Sequence, residues 1–152
     1  MPADNVQFDD HPTAPQGPPS GFEPLFRTSP FLELIGPLFH RQDGNGLAIG
    51  LRIDQRHVNA RGGAHGGVLM TLADIALGYS TAFSEDPPLH LTTASMAVDF
   101  AGGAREGDWV EARADIQKVG GRLAYANAYL YVNGKRIVRA SGVFARSGER
   151  LS

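Results

Sequence analysis

The run Gly66-Gly67-Val68-Leu69-Met70-Thr71-Leu72-Ala73-Asp74-Ile75-Ala76-Leu77-Gly78-Tyr79-Ser80-Thr81-Ala82-Phe83 decides how this chain folds. Its apolar residues are not confined to one stripe but go most of the way round, the mark of a helix buried on several sides. Such a helix requires a sheet that wraps it. Downstream, residues 91–100, 108–119, 122–132 and 136–146 read as strands, broken at Gly102-Gly103, Gly120-Gly121 and Asn133-Gly134. Asn-Gly suits the tightest hairpins, since both turn positions need positive φ. Upstream, Leu47, Ile49, Leu51 and Ile53 alternate with other residues and follow the turn signal Asp43-Gly44-Asn45-Gly46, so residues 37–54 read as a further hairpin. Between Phe22 and Ile35 the pattern suggests one or two short helical turns, with Pro30 at a start and Gly36-Pro37 at a stop. Residues 55–64 read as a loop. The order is hairpin, long helix, four antiparallel strands: an α+β domain whose helices gather on one face of a sheet.

The 152 residues suit one such domain. Residues 1–22, with Pro2, Pro12, Pro15, Pro18 and Pro19, have little to bury and read as a proline-rich arm, leaving 23–148 as the single domain. A formal net charge of -2 lacks the basic footprint of a protein that grips nucleic acid. Cysteine is absent, which excludes disulfides, thiolate metal sites and cysteine nucleophiles. No apolar stretch reaches the roughly 20 residues of a membrane span, and the first residues lack the order of a secretion signal, so the expected location is cytoplasmic.

Asp74 is the residue out of place. It is the only charged residue between Gly66 and Ser84 and lies too far inside the helix to cap its start. An unpaired buried carboxylate is costly, and ionisable groups in clefts often belong to functional sites. The alternative is an aspartate facing solvent, or one bonded to Thr71 or to a partner chain. Gly67, Met70 and Gly78 share its face at helical spacing, and the two glycines allow close approach to the backbone. Gly66 and Gly67 open the helix, where backbone N–H groups lack partners and the dipole favours an oxyanion.

His57-Val58-Asn59-Ala60-Arg61-Gly62-Gly63-Ala64-His65-Gly66-Gly67-Val68-Leu69-Met70-Thr71-Leu72-Ala73-Asp74 resembles the Asn…Gly…His-Gly-Gly…Asp signature of PaaI-like hotdog thioesterases, within the 4-hydroxybenzoyl-CoA thioesterase-type superfamily. Thr92-Thr93-Ala94-Ser95-Met96-Ala97-Val98-Asp99-Phe100 is similar to that family's third strand, and the match in order and length runs from about Phe31 to Phe144. The resemblance implies a five- or six-stranded sheet wrapped round the central helix, homodimers that often pair into tetramers, and active sites at the subunit interface. It implies acyl-CoA as substrate, with no separate cofactor. Carried over by position, Asp74 would be the general base or nucleophile. The Gly66 N–H and Asn59 would meet the thioester oxygen or order water. Thr93 would help to hold that water, with Thr92 the competing choice.

The remaining candidates carry less. A structural part for His65, bonding the loop that presents the helix, competes with a catalytic one. His11, His40, His57 and His90 show no metal-ligand spacing, so no metal site is expected. Arg122, beside the Gly120-Gly121 turn, either meets the phosphates of coenzyme A or is an ordinary solvated hairpin end. Two rival functions stand beside hydrolysis. One is a hydroxyacyl-thioester dehydratase, which would rely on a histidine near the acid; the other is an acyl-CoA-binding module without chemistry.

Overall fold

A computed structural model describes residues 17–44 and 46–148. Residues 1–16 of the expected arm, Asn45 of the 43–46 turn and the last four residues lie outside that range. The elements run β1 (Glu23–Pro24), α1 (Pro30–Ile35), β2 (Leu38–Asp43), β3 (Gly46–Arg52), α2 (Gly66–Ala82), β4 (Leu91–Phe100), β5 (Trp109–Val119), β6 (Leu123–Val132) and β7 (Lys135–Arg146). A single sheet of order β1-β2-β3-β5-β6-β7-β4 is antiparallel at every pairing. α2 crosses its concave side, which is the hotdog arrangement. The sheet has seven strands where five or six were expected, because Glu23 and Pro24 pair with His40 and Phe39 as a two-residue edge. No helix among the described residues is long and apolar enough to cross a membrane.

The core follows from the helix composition. Val68, Leu69, Leu72, Ala73, Ile75, Ala76 and Leu77 are buried against Ile49, Leu51, Val110, Leu130, Val138 and Phe144 of the sheet. Each large side chain so buried contributes about 1.5–3 kcal/mol. The sheet does not cover the whole helix. Gly67, Met70, Thr71, Asp74 and Gly78 stay partly or fully exposed, and their spacing places them on one stripe. The near-uniform apolar character of α2 therefore conceals an open face.

A smaller cluster lies on the opposite side of the sheet. Trp109 meets Phe22 edge-on at 5.0 Å between ring centroids and Phe39 at 5.7 Å, while the Arg52 guanidinium lies 5.3 Å from its ring centre. Phe22 is buried, so the chain has already joined the fold at the last residue of the expected arm. Gly50 is what lets the indole lie down on the strand: a Cβ there would run into Trp109 Cζ2. Gly50→Ala should lower stability by about 1–3 kcal/mol through overpacking. Chemical denaturation followed by the emission of Trp109, the chain's one tryptophan, measures both that loss and the altered indole environment. Unchanged stability and emission would show that the ring is not held against the strand.

Candidate active site

Asp74 lies on the open stripe of α2, facing β4. Its Oδ1 accepts a hydrogen bond of 2.8 Å from Thr93 Oγ1. The carboxylate is half-buried in a cleft wall and has a partner, where the sequence suggested an unpaired and buried group. Thr71 bonds elsewhere, donating to the Gly67 carbonyl at 2.9 Å. The cleft holds about 480 Å³, a size typical of small-molecule sites. Asp74, Ile75 and Gly78 of α2, Phe31 and Leu32 of α1, and Phe144 of β7 form much of its wall.

A bulge decides which threonine reaches the carboxylate. Thr93 pairs with Phe144 and Ser95 with Val143, so β4 carries one extra residue at Ala94. Alternation counted back from Met96 and Val98, which are half-buried, would turn Ala94 and Thr92 toward the helix. The extra residue shifts the phase and turns Thr93 inward instead, as bulges commonly re-aim a side chain. Thr92 is exposed and does not line the cleft.

The cleft's outer wall depends on the loop before α2. Arg56 donates to the carbonyls of Leu34 at 2.7 Å and Gly36 at 2.5 Å, and His57 Nε2 donates to that of Ile35 at 2.6 Å. These are the orphan acceptors expected where a helix ends. His57 Nδ1 accepts from the Asp54 N–H at 2.9 Å, so both nitrogens of this buried ring are engaged in holding the loop. The Arg56 side chain also bonds Asp54, holding its carboxyl below the usual carboxylate range, and the Arg56 guanidinium is raised in turn. Together these bonds fix α1, and with it Phe31 and Leu32, against the loop.

The other sequence candidates are dispersed. His65 is the N-cap of α2, its Nδ1 accepting from the Gly67 N–H at 2.9 Å. That bond engages the Gly67 donor and leaves the Gly66 N–H without an acceptor among the described residues. Asn59 Oδ1 accepts from the N–H groups of Arg61 at 2.9 Å and Gly63 at 3.3 Å, shaping the loop. Asp74 stands eight residues beyond Gly66, or about 12 Å along the helix axis. One carbonyl cannot touch both within a single chain. Gly66, Gly67, Asn59, His65 and Met70 are accordingly absent from the Asp74 cleft, and Arg122 is exposed in the β5–β6 turn. His90, which the sequence gave no part in a site, lines the cleft with Asp74. Its place in a loop of irregular length left no periodic signal. Among the described residues no cluster of three or more His, Cys, Asp or Glu is placed to hold a metal.

A family model described as "Thioesterase superfamily" matches residues 61–137. The chain belongs to the thioesterase superfamily. The Pseudomonas aeruginosa protein named "Putative esterase PA0474" is 50% identical over 127 residues, 83% of this chain and 95% of its own length. Among solved structures, a variant of the phenylacetic acid degradation protein PaaI from Thermus thermophilus is similar to this superfamily member with a TM-score of 0.70 and 25% identity, covering 78% of this chain and 100% of its own. A Streptococcus mutans protein solved bound to acetyl CoA shares the fold, with a TM-score of 0.67 and 15% identity over 73% of this chain and 89% of its own.

The cap at the head of α2 can be tested alone. His65→Ala should cost about 1 kcal/mol in chemical denaturation, while His65→Asn, which supplies another side-chain acceptor, should recover most of it. Equal stability of all three proteins would remove His65 from the cap.

Proposed function

We propose that this chain hydrolyses acyl-CoA thioesters to a free acid and coenzyme A, with Asp74 acting on water or on the carbonyl itself. The observation that carries this reading is the Thr93–Asp74 bond at the wall of the cleft. A carboxylate held by one hydroxyl donor and partly open to solvent keeps further lone pairs for a water. In a thioesterase-superfamily chain, that is the group available to activate a nucleophile or to serve as one. Membership of the superfamily supports thioester hydrolysis. The acetyl CoA of the Streptococcus mutans structure favours coenzyme A as the thiol. A thiolate leaves readily, so the proposed reaction calls for no cofactor.

The 12 Å between Gly66 and Asp74 leads to a second part of the reading. The oxyanion donor facing Asp74 comes from another copy of the chain, whose Gly66 N–H polarises the carbonyl while its Asn59 loop borders the same cleft. β4 supports this arrangement: it is the last strand of the sheet and largely exposed, and it lies next to the open stripe of α2. An edge of ten residues with unpaired backbone groups is a template for another chain. A homodimer, itself able to pair into a tetramer, is the proposed working unit, with Gly67 and Met70 of the stripe near the junction. Arg122 is proposed to meet the coenzyme A phosphates from the rim.

The test is thiol release from aryl- and alkanoyl-CoA substrates. Asp74→Ala should lower turnover by about 10²–10⁴. Thr93→Val removes a hydrogen bond to a charged group, worth about 1.5–3 kcal/mol, and should lower turnover about tenfold or more. Thr92→Val should stay within about twofold of wild type, as an exposed substitution away from the cleft. Full activity in Asp74→Ala would show that another group activates the nucleophile. Saturable acyl-CoA binding with no thiol release from any substrate would favour a binding module instead. An enoyl product from a hydroxyacyl-CoA, formed without thiol, would favour a dehydratase and bring His90 forward.

A further inference from the structure

A second cavity, of about 530 Å³, lies on the far side of an aromatic partition from the Asp74 cleft. Consecutive residues line opposite cavities: Arg27 and Ala82 face the Asp74 cleft, whereas Phe26 and Phe83 face the second space. Tyr79, one turn before Phe83, lines the cleft side. The three rings touch one another. Phe26 meets Phe83 edge-on with centroids 4.9 Å apart and Tyr79 at 5.8 Å, and Tyr79 lies 6.3 Å from Phe83. Phe26 is held from behind by His40, edge-on at 5.0 Å, and the His40 Nδ1–H donates to the Pro24 carbonyl at 3.1 Å.

Phe26 and Phe83 are 47% and 40% exposed, so neither is a core residue whose position is explained by burial. The partition also stands in line with the chemistry. Going down α2 from Asp74, one face carries Gly78, then Tyr79 and Ala82, and the cleft follows that face. Gly78 lines the cleft, and a Cβ there would make ordinary van der Waals contact with Phe144 Cε1 at 3.4 Å. Tyr79 and Phe83 lie five and nine residues beyond Asp74, or roughly 8 and 13 Å along the axis. The polar residues Arg27, His90 and Ser147 of the cleft are exposed, so they belong to its rim.

We propose that the Phe26–Tyr79–Phe83 partition is the end wall of the acyl site and limits the substrate to medium-length acyl groups. An extended chain advances roughly 1.2 Å per bond. With the carbonyl beside Asp74, about six to ten carbons reach the rings. A longer chain meets Phe26 and has to fold back or leave the cleft. Removing the Phe26 ring joins the two cavities and extends the path toward Leu47 and Gln42. This inference rests on the acyl-CoA reading of the cleft, and it assigns Phe26 a part in specificity rather than in chemistry.

The test compares the binding of the non-hydrolysable thioethers S-octyl-CoA and S-tetradecyl-CoA by calorimetry in wild type, Phe26→Ala and Phe83→Ala. Thiol release from octanoyl-CoA is followed in parallel. Wild type should favour the octyl ligand. Each variant should raise the tetradecyl-to-octyl affinity ratio by about tenfold or more, in keeping with the 10–200-fold worth of a matched methylene. Octyl binding should be retained in both variants, weakened only by the loss of one ring contact, and octanoyl-CoA turnover should remain measurable. Phe83→Ala opens the wall from the helix side, so the test does not depend on the folding of one variant. An unchanged ratio in a folded variant, with octyl binding intact, overturns the end wall and leaves the thioesterase reading standing. Failure of wild type to bind either thioether overturns both.

Discussion

The structure depends on a helix that cannot stand in water and cannot be fully covered by its own chain. α2 presents apolar side chains over most of its circumference, and a sheet of at least five strands has to bend round it to bury them. Four long strands and a hairpin do so, leaving the stripe through Gly67, Met70, Thr71, Asp74 and Gly78 open. Everything of chemical interest lies on or beside that stripe. The residues that would be wrong for a core, a carboxylate and two glycines, are the ones the sheet does not reach.

The head and the middle of the helix are handled differently. At its head the His65 ring satisfies one backbone donor, and the neighbouring Gly66 N–H stays available. Further along, Thr93 holds the carboxylate from the adjoining strand. Donor and carboxylate are too far apart to work on one carbonyl within a chain, which is why the proposed reaction draws its oxyanion donor from a second copy. The wall between α1 and the loop is fixed independently, through Arg56 and His57, so the outer side of the cleft does not rely on contacts made by the substrate.

Much of the architecture was legible because its signals are local. The helix from Gly66, the Pro30 start and Gly36 stop of α1, and the Asn133-Gly134 hairpin each follow from a few adjacent residues. Asp74 was legible for the same reason, being one charge in an apolar run. What escaped depends on pairing. The two-residue strand at Glu23 exists only because β2 has a free edge to receive it. The choice between Thr92 and Thr93 turns on one extra residue at Ala94, and alternation alone points to the wrong threonine. Asn59 and Gly66 were recognisable as a motif, yet a motif does not say that they lie apart from the cleft that Asp74 lines. His90 entered the cleft through a loop that has no period to read.

The bulge in β4 is in effect a phase boundary. Upstream of Ala94 the odd-numbered Thr93 faces the helix, and downstream the even-numbered Met96 and Val98 do so. The two halves of the strand are thereby decoupled. Insertions or deletions in the 84–90 loop can be absorbed before the boundary without turning the core-facing half of β4 outward. Conversely, smoothing out the bulge without removing a residue, so that Ala94 took the pairing with Phe144, would leave the downstream register intact while turning Thr93 away from Asp74. A fold that buries its helix by strict alternation thus contains one place where the active-site end can be re-indexed with no penalty to the core.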